Sequence, residues 1–266
     1  MKEKEKINII IFGVSSGIGK YLYSSIKDIN INIYGFSSKK TKNKSILFYK
    51  YKKIKDTINL FKKLNKKQDN TYIIICNGTN GKVGRLENIN LQNFIKCFEI
   101  NFFSVLEIIF NYLKIFKKKN KKIIVFSGGG AFSPFIKFDS YASSKTALVR
   151  LVENLAKEYK NELQINAIAP GFNFTNIQKN LLKNNSKKNI GEDYFNFLLK
   201  NKKKINNFKK IDEFIKLVFF SKKFSLNGKT ISINYDDWNS DKFKKNINKI
   251  NISDYLTLRR SNKKPY

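Results

Sequence analysis

The feature that most constrains the fold is a strand, a glycine-rich turn and a helix near the start of the chain. The run Ile7–Phe12 is rich in β-branched residues, which is typical of a strand buried on both faces of a parallel sheet. It leads into Gly13–Gly19, and a helical spacing of apolar residues follows. Glycines permit a tight turn and close approach of backbone to a phosphate at a helix N-terminus. The order therefore predicts a dinucleotide turn rather than an ordinary glycine turn, and we assign to it Gly13, Ser15, Ser16, Gly17, Ile18 and Gly19.

The alternation of strand and helix recurs along the chain. Further buried-type strands are predicted at Ile31–Phe36, Tyr72–Cys76, Lys121–Phe126, Gln164–Ala169 and Gly228–Asn234, and helical patterns at Ile54–Leu64, at Leu91–Lys117 and after Tyr141. This order predicts an α/β fold with a doubly wound parallel sheet in a single domain. We expect that domain to span residues 1–235, followed by a C-terminal extension over 236–266.

The charge balance is extreme, with 53 Lys and Arg against 20 Asp and Glu and a formal net charge of +33. Such a charge would ordinarily suggest nucleic acid or an anionic surface as partner. Here Lys, Asn and Ile are frequent everywhere and Arg is rare, which indicates a bias of composition rather than a patch built for a partner. We therefore predict no nucleic-acid partner.

Cysteine content and the N-terminus bear on location. Two cysteines, Cys76 and Cys97, do not make a disulfide framework and fit a reducing cytoplasm. The apolar run after the charged start is too short to cross a bilayer or to serve as a signal peptide. His is absent. We expect a cytoplasmic protein with no membrane association and no metal site.

The strongest chemical signal is the pair Tyr141 and Lys145 at the start of a predicted helix. Residues four apart lie on one helix face, so the phenol and the ammonium can approach the same point. A nearby lysine cation favours the phenolate and is expected to lower the tyrosine pKa, which would make the pair a general acid and base. Taken alone, the same spacing would also suit an ordinary helix face.

Polar and glycine-rich turns follow the other predicted strands, where ligands bind in doubly wound folds. Asn77 and Gly78 follow the Tyr72–Cys76 strand, Ser127 and three glycines follow the Lys121–Phe126 strand, and Pro170, Gly171 and Thr175 follow the Gln164–Ala169 strand. Asn101 lies in the Leu91–Lys117 helix, either as a structural residue or as part of a site. The strand Ile31–Phe36 is followed by hydroxyls and lysines from Ser37 onwards, with no carboxylate to bind ribose hydroxyls, which favours NADP(H) over NAD(H).

In this order and at these intervals, the motifs resemble the short-chain dehydrogenase/reductase family, over about residues 7 to 235. The resemblance implies a Rossmann fold and NAD(P)-dependent interconversion of an alcohol and a ketone. It implies that Tyr141 transfers the proton, Lys145 lowers its pKa and binds the nicotinamide ribose, Ser127 bonds the substrate oxygen and Asn101 holds a relay water. The same resemblance implies cofactor contacts for Ser37, Asn77, Gly78, Pro170, Gly171 and Thr175.

Three departures from the family pattern stand out. The usual Asn-Asn-Ala-Gly is here Cys76-Asn77-Gly78-Thr79, and the acidic residue that commonly follows the third strand is missing. The family serine lies thirteen residues before the tyrosine, which is Gly128 here, whereas Ser127 lies fourteen before; Ser133 is a poorer substitute.

The Ser127–Ala131 stretch and the tail resemble a subgroup found in bacterial surface-polysaccharide and sugar-nucleotide pathways. Arg259 and Arg260 could bind a phosphate, or be surface or dimer-contact residues. Residues 176–204 occupy the segment that closes over substrate in this family, and their lysines would suit an anionic substrate, although the general lysine excess explains them equally. The resemblance also implies a homodimer or homotetramer.

Other functions stay open at this point. A sugar-nucleotide epimerase or dehydratase also uses Tyr-x-x-x-Lys, but its glycine pattern and longer chain differ from this sequence. A cofactor-binding regulatory protein without turnover is compatible with the displaced serine and the altered Asn-Gly turn. A small-molecule oxidoreductase accounts for most of the motifs.

Overall fold

Seven parallel strands form one sheet. The computed structural model describes residues 6–39, 41–67, 69–117, 120–185, 187–204 and 206–259. The strands are β1 (Ile7–Phe12), β2 (Ile31–Ser37), β3 (Ile46–Phe48), β4 (Asn70–Ile75), β5 (Lys121–Phe126), β6 (Leu163–Ala169) and β7 (Thr230–Ser232). Their order across the sheet is β3-β2-β1-β4-β5-β6-β7. The predicted single-domain α/β fold with a doubly wound parallel sheet, the Rossmann fold, is confirmed.

Helices cover both faces of the sheet. They are α1 (Gly17–Ser25), α2 (Lys55–Lys66), α3 (Leu91–Phe98), α4 (Ser104–Ile115), α5 (Asp139–Glu158), α6 (Asn176–Asn184), α7 (Lys187–Ile190), α8 (Glu192–Asn201), α9 (Phe208–Phe220), α10 (Asp241–Lys245) and α11 (Ile247–Ile252). No helix within the described ranges is both long and apolar enough to cross a membrane.

The apolar strands are unbroken because each face of the sheet has its own core. In β1, Ile9 and Ile11 pack with α1 and α9, whereas Ile10 and Phe12 pack on the opposite face with α2, α4 and α5. Successive side chains of a strand point to opposite faces, so a strand covered on both sides must be apolar at every position.

The predicted helix over Leu91–Lys117 is interrupted, and this is a correction. A π-helical turn, Glu99–Phe103, separates α3 from α4, and α4 ends at Ile115. Asn101, fully buried in that turn, bonds the backbone of Thr79 with its side-chain amide. A polar group held in this way changes the local helix geometry, and π-turns occur frequently at functional sites.

The described part of the extension packs into the domain. Trp238, Phe243, Ile247 and Ile250 lie in the same core as β1, α1 and α9. The Trp238 indole donates a hydrogen bond to the Ile233 carbonyl at 3.1 Å. The extension therefore buries apolar surface that the domain over 1–235 would otherwise expose.

Candidate active site

The site lies where the strand order reverses, between β1 and β4. All strands are parallel, so the turns that follow β1, β4, β5 and β6 meet at one edge of the sheet. A crevice at such a reversal is where ligands bind in open α/β sheets. The turns predicted from sequence as functional are the ones that this topology brings together.

The glycine turn after β1 forms a cradle that only glycine allows. Gly13 has φ of +90° and Gly17 has φ of +57°, which other residues rarely adopt. A methyl group at Gly19 would overlap the Gly13 carbonyl. Ser16 precedes α1 without a side-chain hydrogen bond to it, so the first N–H groups of this nine-residue helix remain available to an anion. These features fit a pyrophosphate, although no ligand contact of Ser15, Ser16 or Ile18 follows from them.

The turn after β4 is held by Asn101. The Asn101 Oδ1 accepts from Thr79 N–H at 2.8 Å, and its Nδ2 donates to the Thr79 carbonyl at 2.9 Å and to Ser144 Oγ at 3.0 Å. Ser144 Oγ in turn donates to the Tyr141 carbonyl at 2.7 Å. The Asn101 side chain thus joins this turn to the helix that carries Tyr141, and sequence reasoning did not identify Ser144 as a link.

Lys145 reaches the same place from α5. Its Nζ donates to the Phe126 carbonyl at the end of β5, at 2.6 Å. A methyl group at Gly78 would lie 3.6 Å from Lys145 Nζ and 3.8 Å from Asn101 Oδ1. Asn77 borders the glycine turn, since a methyl group at Gly13 would lie 3.1 Å from Asn77 Oδ1. Lys145, Asn101 and the Asn77–Gly78 turn are therefore brought together as the sequence predicted.

The pKa of Tyr141 differs from the sequence expectation. Burial raises the pKa of the Tyr141 phenol above its ordinary value, and negative charge on Tyr194 or Cys97 would raise it further. Burial also lowers the pKa of Lys145 to about 8. The expected lowering of the tyrosine pKa by the lysine is not found in this geometry, in which burial is the largest cause of the shift. The phenol is therefore protonated at neutral pH and able to donate.

Gly128, not a serine, lies against the Tyr141 hydroxyl. Gly128 is extended, and a methyl group on it would overlap that hydroxyl and lie 2.9 Å from the ring carbon Cζ. The neighbouring Ser127 is buried, and its Oγ has no hydrogen-bond partner among the described residues. Buried hydroxyls are ordinarily bonded, so this one has capacity for a bond that the protein does not supply.

Two predicted cofactor residues have hydroxyls engaged within the protein. Ser37 is buried, donating to the Lys39 carbonyl at 2.8 Å and accepting from the Lys39 N–H at 3.0 Å. Thr175 caps α6 and donates to Gln178 Oε1 at 2.7 Å. Thr175 still lies beside the glycine turn, since a methyl group at Gly17 would be 3.4 Å from its Cγ2. Ser38 and Lys39 are the exposed groups after β2.

Of the remaining predicted residues, Pro170 and Gly171 lie at the sheet edge of the site. Both follow β6, and both backbone carbonyls accept hydrogen bonds from the Asn173 side chain.

Arg259 forms ion pairs with Asp254 at 2.8 Å and with Glu153 at 3.2 Å, and these pairs account for its position without a phosphate. Arg260 lies outside the described residues. Among those that are described, no cluster of three His, Cys, Asp or Glu could hold a metal ion.

Sequence reasoning missed the aromatic surroundings of Tyr141. The side chains of Phe135, Phe138 and Tyr194 pack around one another and around Tyr141. The sequence does show aromatic residues in the 132–138 loop and in the 194–197 stretch. Their positions in the sequence do not predict that the two stretches contact each other.

Comparison with known proteins defines the family. The family model described as short chain dehydrogenase matches residues 7–186, which is more than half of the chain. The chain belongs to the short-chain dehydrogenase family. An uncharacterized oxidoreductase of Schizosaccharomyces pombe is 29% identical over 125 residues, covering 47% of this chain and 50% of the relative. The chain therefore matches about half the length of that relative.

Solved structures share the fold. A short chain dehydrogenase/reductase from Saccharomyces cerevisiae superposes with a TM-score of 0.75 at 22% identity, covering 87% of this chain and 97% of the other. A structure described as ElxO with NADP bound gives a TM-score of 0.69 at 21% identity, covering 86% of this chain and 97% of the other. At these identities the likeness is one of fold.

Proposed function

We propose that the protein is an NAD(P)-dependent oxidoreductase that interconverts an alcohol and a ketone, with Tyr141 as the proton donor and acceptor. The observation that carries this proposal is the convergence on one sheet edge of three groups. These are a phenol that is protonated at neutral pH, a lysine ammonium on the same helix face, and the uncapped N-terminus of α1. Together they match the two requirements of the reaction, which are a proton at the substrate oxygen and an anchor for a dinucleotide.

The protonated phenol is the form of Tyr141 that reduction of a ketone requires. The Tyr141 hydroxyl has no hydrogen bond to the protein among the described residues, so its proton is free to be given to a carbonyl oxygen. When bound, a nicotinamide cofactor supplies the hydride that the protein lacks. The glycine turn is the part of this chain that fits its pyrophosphate, because Ser16 does not cap the N-terminus of α1 with its side chain and the glycines bring the backbone close.

The other residues support Tyr141. Lys145, fixed to the Phe126 carbonyl, would supply positive charge beside the phenolate that remains after proton transfer, and would bind the nicotinamide ribose. Asn101 bonds the backbone of Thr79 and, through Ser144, supports the helix of Tyr141. We also propose that a relay water binds at Asn101. The Asn101 side chain already forms hydrogen bonds with Thr79 and Ser144.

Ser127 is proposed as the second hydroxyl that bonds the substrate oxygen. Its unpartnered Oγ supports this role. We expect Ser127→Ala to lower kcat about 100- to 1,000-fold for a methyl ketone, the range for loss of one donor to a developing oxyanion. NADPH affinity, measured by fluorescence titration, should be unchanged. A fall in kcat of less than about threefold would mean that Tyr141 is the sole hydroxyl donor.

The cofactor is proposed to be NADP(H) in preference to NAD(H). The exposed Ser38 and Lys39, and the lack of a carboxylate at the end of β2, support this preference. The structural neighbour ElxO has NADP bound, which is consistent with it.

A carboxylate at the end of β2 should reverse this preference. We expect Ser38→Asp to weaken NADPH binding about tenfold or more, because like charges in close contact are costly. NADH binding should hold or improve, since a carboxylate can accept from ribose hydroxyls. The control is Ser45→Asp, at another exposed serine close to the sheet. Equal weakening by both variants would mean a general charge effect and would count against this assignment.

The direct test of function is cofactor oxidation by ketones. NADPH absorbance would be followed with butan-2-one and larger methyl ketones, beside NADPH binding by fluorescence. Binding with ketone-dependent turnover supports the oxidoreductase. Binding without turnover of any ketone or alcohol would favour the regulatory alternative.

Two more specific hypotheses concern the substrate. One places the protein in a surface-polysaccharide or sugar-nucleotide pathway, and the other gives it an anionic substrate. The pathway assignment rests on the Ser127–Ala131 stretch and the C-terminal tail, and the anionic substrate on the lysine-rich segment over 176–204. The described lysines of that segment are exposed at the surface: Lys179, Lys183, Lys187, Lys188, Lys200, Lys202, Lys203 and Lys204. Turnover of a nucleoside-diphosphate keto-sugar in the same assay would establish the hypothesis.

A homodimer or homotetramer is also proposed, in the cytoplasm. Exposed apolar side chains on α3, the π-helical turn and α4 support self-association: Leu91, Ile95, Phe103 and Phe110. Sedimentation equilibrium would decide, with a monomer at micromolar concentration as the contrary result.

A further inference from the structure

One side of Tyr141 is walled by aromatic side chains. We define the aromatic wall as Phe135, Phe138, Phe172, Tyr194 and Phe197. Phe135 and Phe138 are stacked with ring centroids 4.1 Å apart, and Tyr194 meets both edge-on, at 5.1 and 5.3 Å. Phe135 also meets the Tyr141 ring edge-on, at 6.2 Å. The wall therefore begins in direct contact with the reacting phenol.

The wall extends from Tyr141 to the surface through α8. Tyr194 and Phe197 are stacked at 5.9 Å, and Phe197 meets Phe172 edge-on at 4.9 Å. Phe138 is fully buried at the inner end, whereas Phe197 is 41% exposed at the outer end. Ring contacts therefore run from Tyr141 to a ring that is partly exposed at the surface.

The aromatic wall itself carries no charged side chain, and the cation near Tyr141 is Lys145 of α5. The groups that raise the pKa of Tyr141 beyond burial are Tyr194 and Cys97, both neutral at neutral pH. Burial raises the pKa of Tyr194 itself to about 12. The lysines of the same segment lie on its exposed side, and Lys187 there is paired with Glu192 at 3.0 Å. An anionic substrate would lose its hydration next to Tyr141 without gaining a cation from this segment.

On this basis we propose that the ketone substrate carries an apolar, preferably aromatic, group that packs against the aromatic wall while its carbonyl meets Tyr141. The inference rests on the proposed function and names its substrate class. Tyr194 is the residue that would determine specificity, because its ring joins the inner pair of the wall to the outer pair. Aromatic groups pack favourably edge-on against such rings, and their burial gains free energy in proportion to the apolar area removed from water.

Three methyl ketones that differ only beyond the carbonyl test the proposal. They are 4-phenylbutan-2-one, butan-2-one and levulinate, used with NADPH and wild-type protein. We expect kcat/KM to fall at least about tenfold from the phenyl ketone to butan-2-one, and further to levulinate. A preference for levulinate would overturn the inference and keep the proposed function. Reduction of a nucleoside-diphosphate keto-sugar but of none of these three ketones would also overturn the inference and keep the proposed function, whereas NADPH binding without turnover of any ketone or alcohol would overturn both.

The residue assignment has its own test in Tyr194→Ser, with Lys200→Ser on the exposed side of the same helix as control. Loss of the ring should lower kcat/KM for 4-phenylbutan-2-one about tenfold or more and leave butan-2-one within about threefold. Lys200→Ser should leave all three ketones unchanged. An equal loss for every ketone would mean that Tyr194 only supports the structure, and would overturn its role in specificity.

Discussion

Tyr141→Phe is expected to reduce ketone turnover by about 10³-fold while leaving NADPH binding intact, the middle of the range for removal of a general acid. The substitution removes one hydroxyl and keeps the ring, which packs against Phe135. Because that hydroxyl has no hydrogen bond to the protein among the described residues, its loss leaves no partner unsatisfied. Stability should therefore change little, and the loss should lie in kcat.

Two measurements make the Tyr141 result decisive. Thermal unfolding of wild type and variant should coincide within a few degrees, about 1 kcal/mol or less. Single-turnover reduction should slow to the same extent as steady-state turnover. Retention of more than a tenth of wild-type kcat would exclude Tyr141 as the proton donor and would remove the main support for the proposed function.

Gly128→Ala should damage both the stability and the activity of the protein. The added methyl would overlap the Tyr141 hydroxyl, so either the phenol or the strand end must move. We expect a loss of stability of about 1–3 kcal/mol, as for overpacking elsewhere. A displacement of the phenol by about 1 Å should also lower kcat about 100-fold.

Its control is the adjacent glycine. Nothing lies within 4 Å of a methyl group placed at Gly129, so Gly129→Ala should be nearly neutral in both assays. In the Tyr141→Phe background the stability cost of Gly128→Ala should shrink, because only the ring carbon at 2.9 Å is left to contact. If Gly128→Ala and Gly129→Ala behave alike, Gly128 does not lie against the phenol.

The same contact explains why a serine at the family spacing is missing. A serine at position 128 would place its Cβ where the Tyr141 hydroxyl lies. The glycine and the position of the phenol are therefore linked, and a residue count alone could not show this. Ser127 lies one residue earlier, and its hydroxyl has no hydrogen-bond partner among the described residues. The Ser127→Ala variant tests whether this hydroxyl takes the role of the family serine.

The sequence by itself determined the fold and the edge at which the site lies. Unbroken β-branched runs require burial on both faces, and the glycines after Ile7–Phe12 require a turn that only glycine allows. Tyr141 and Lys145 follow from helical spacing, because that geometry is local. For these features, neighbouring residues supply most of the physical cause.

Only the tertiary structure decided what surrounds the phenol. The pKa of Tyr141 depends on burial by residues distant in sequence, so a lysine four residues away did not predict its direction. The break at Asn101 depends on the Thr79 backbone, 22 residues earlier. The aromatic wall joins the 132–138 loop to α8. The exposure of the lysines in residues 176–204 depends on which side of that segment faces Tyr141. Packing between distant segments sets these properties, and no local pattern in the chain encodes them.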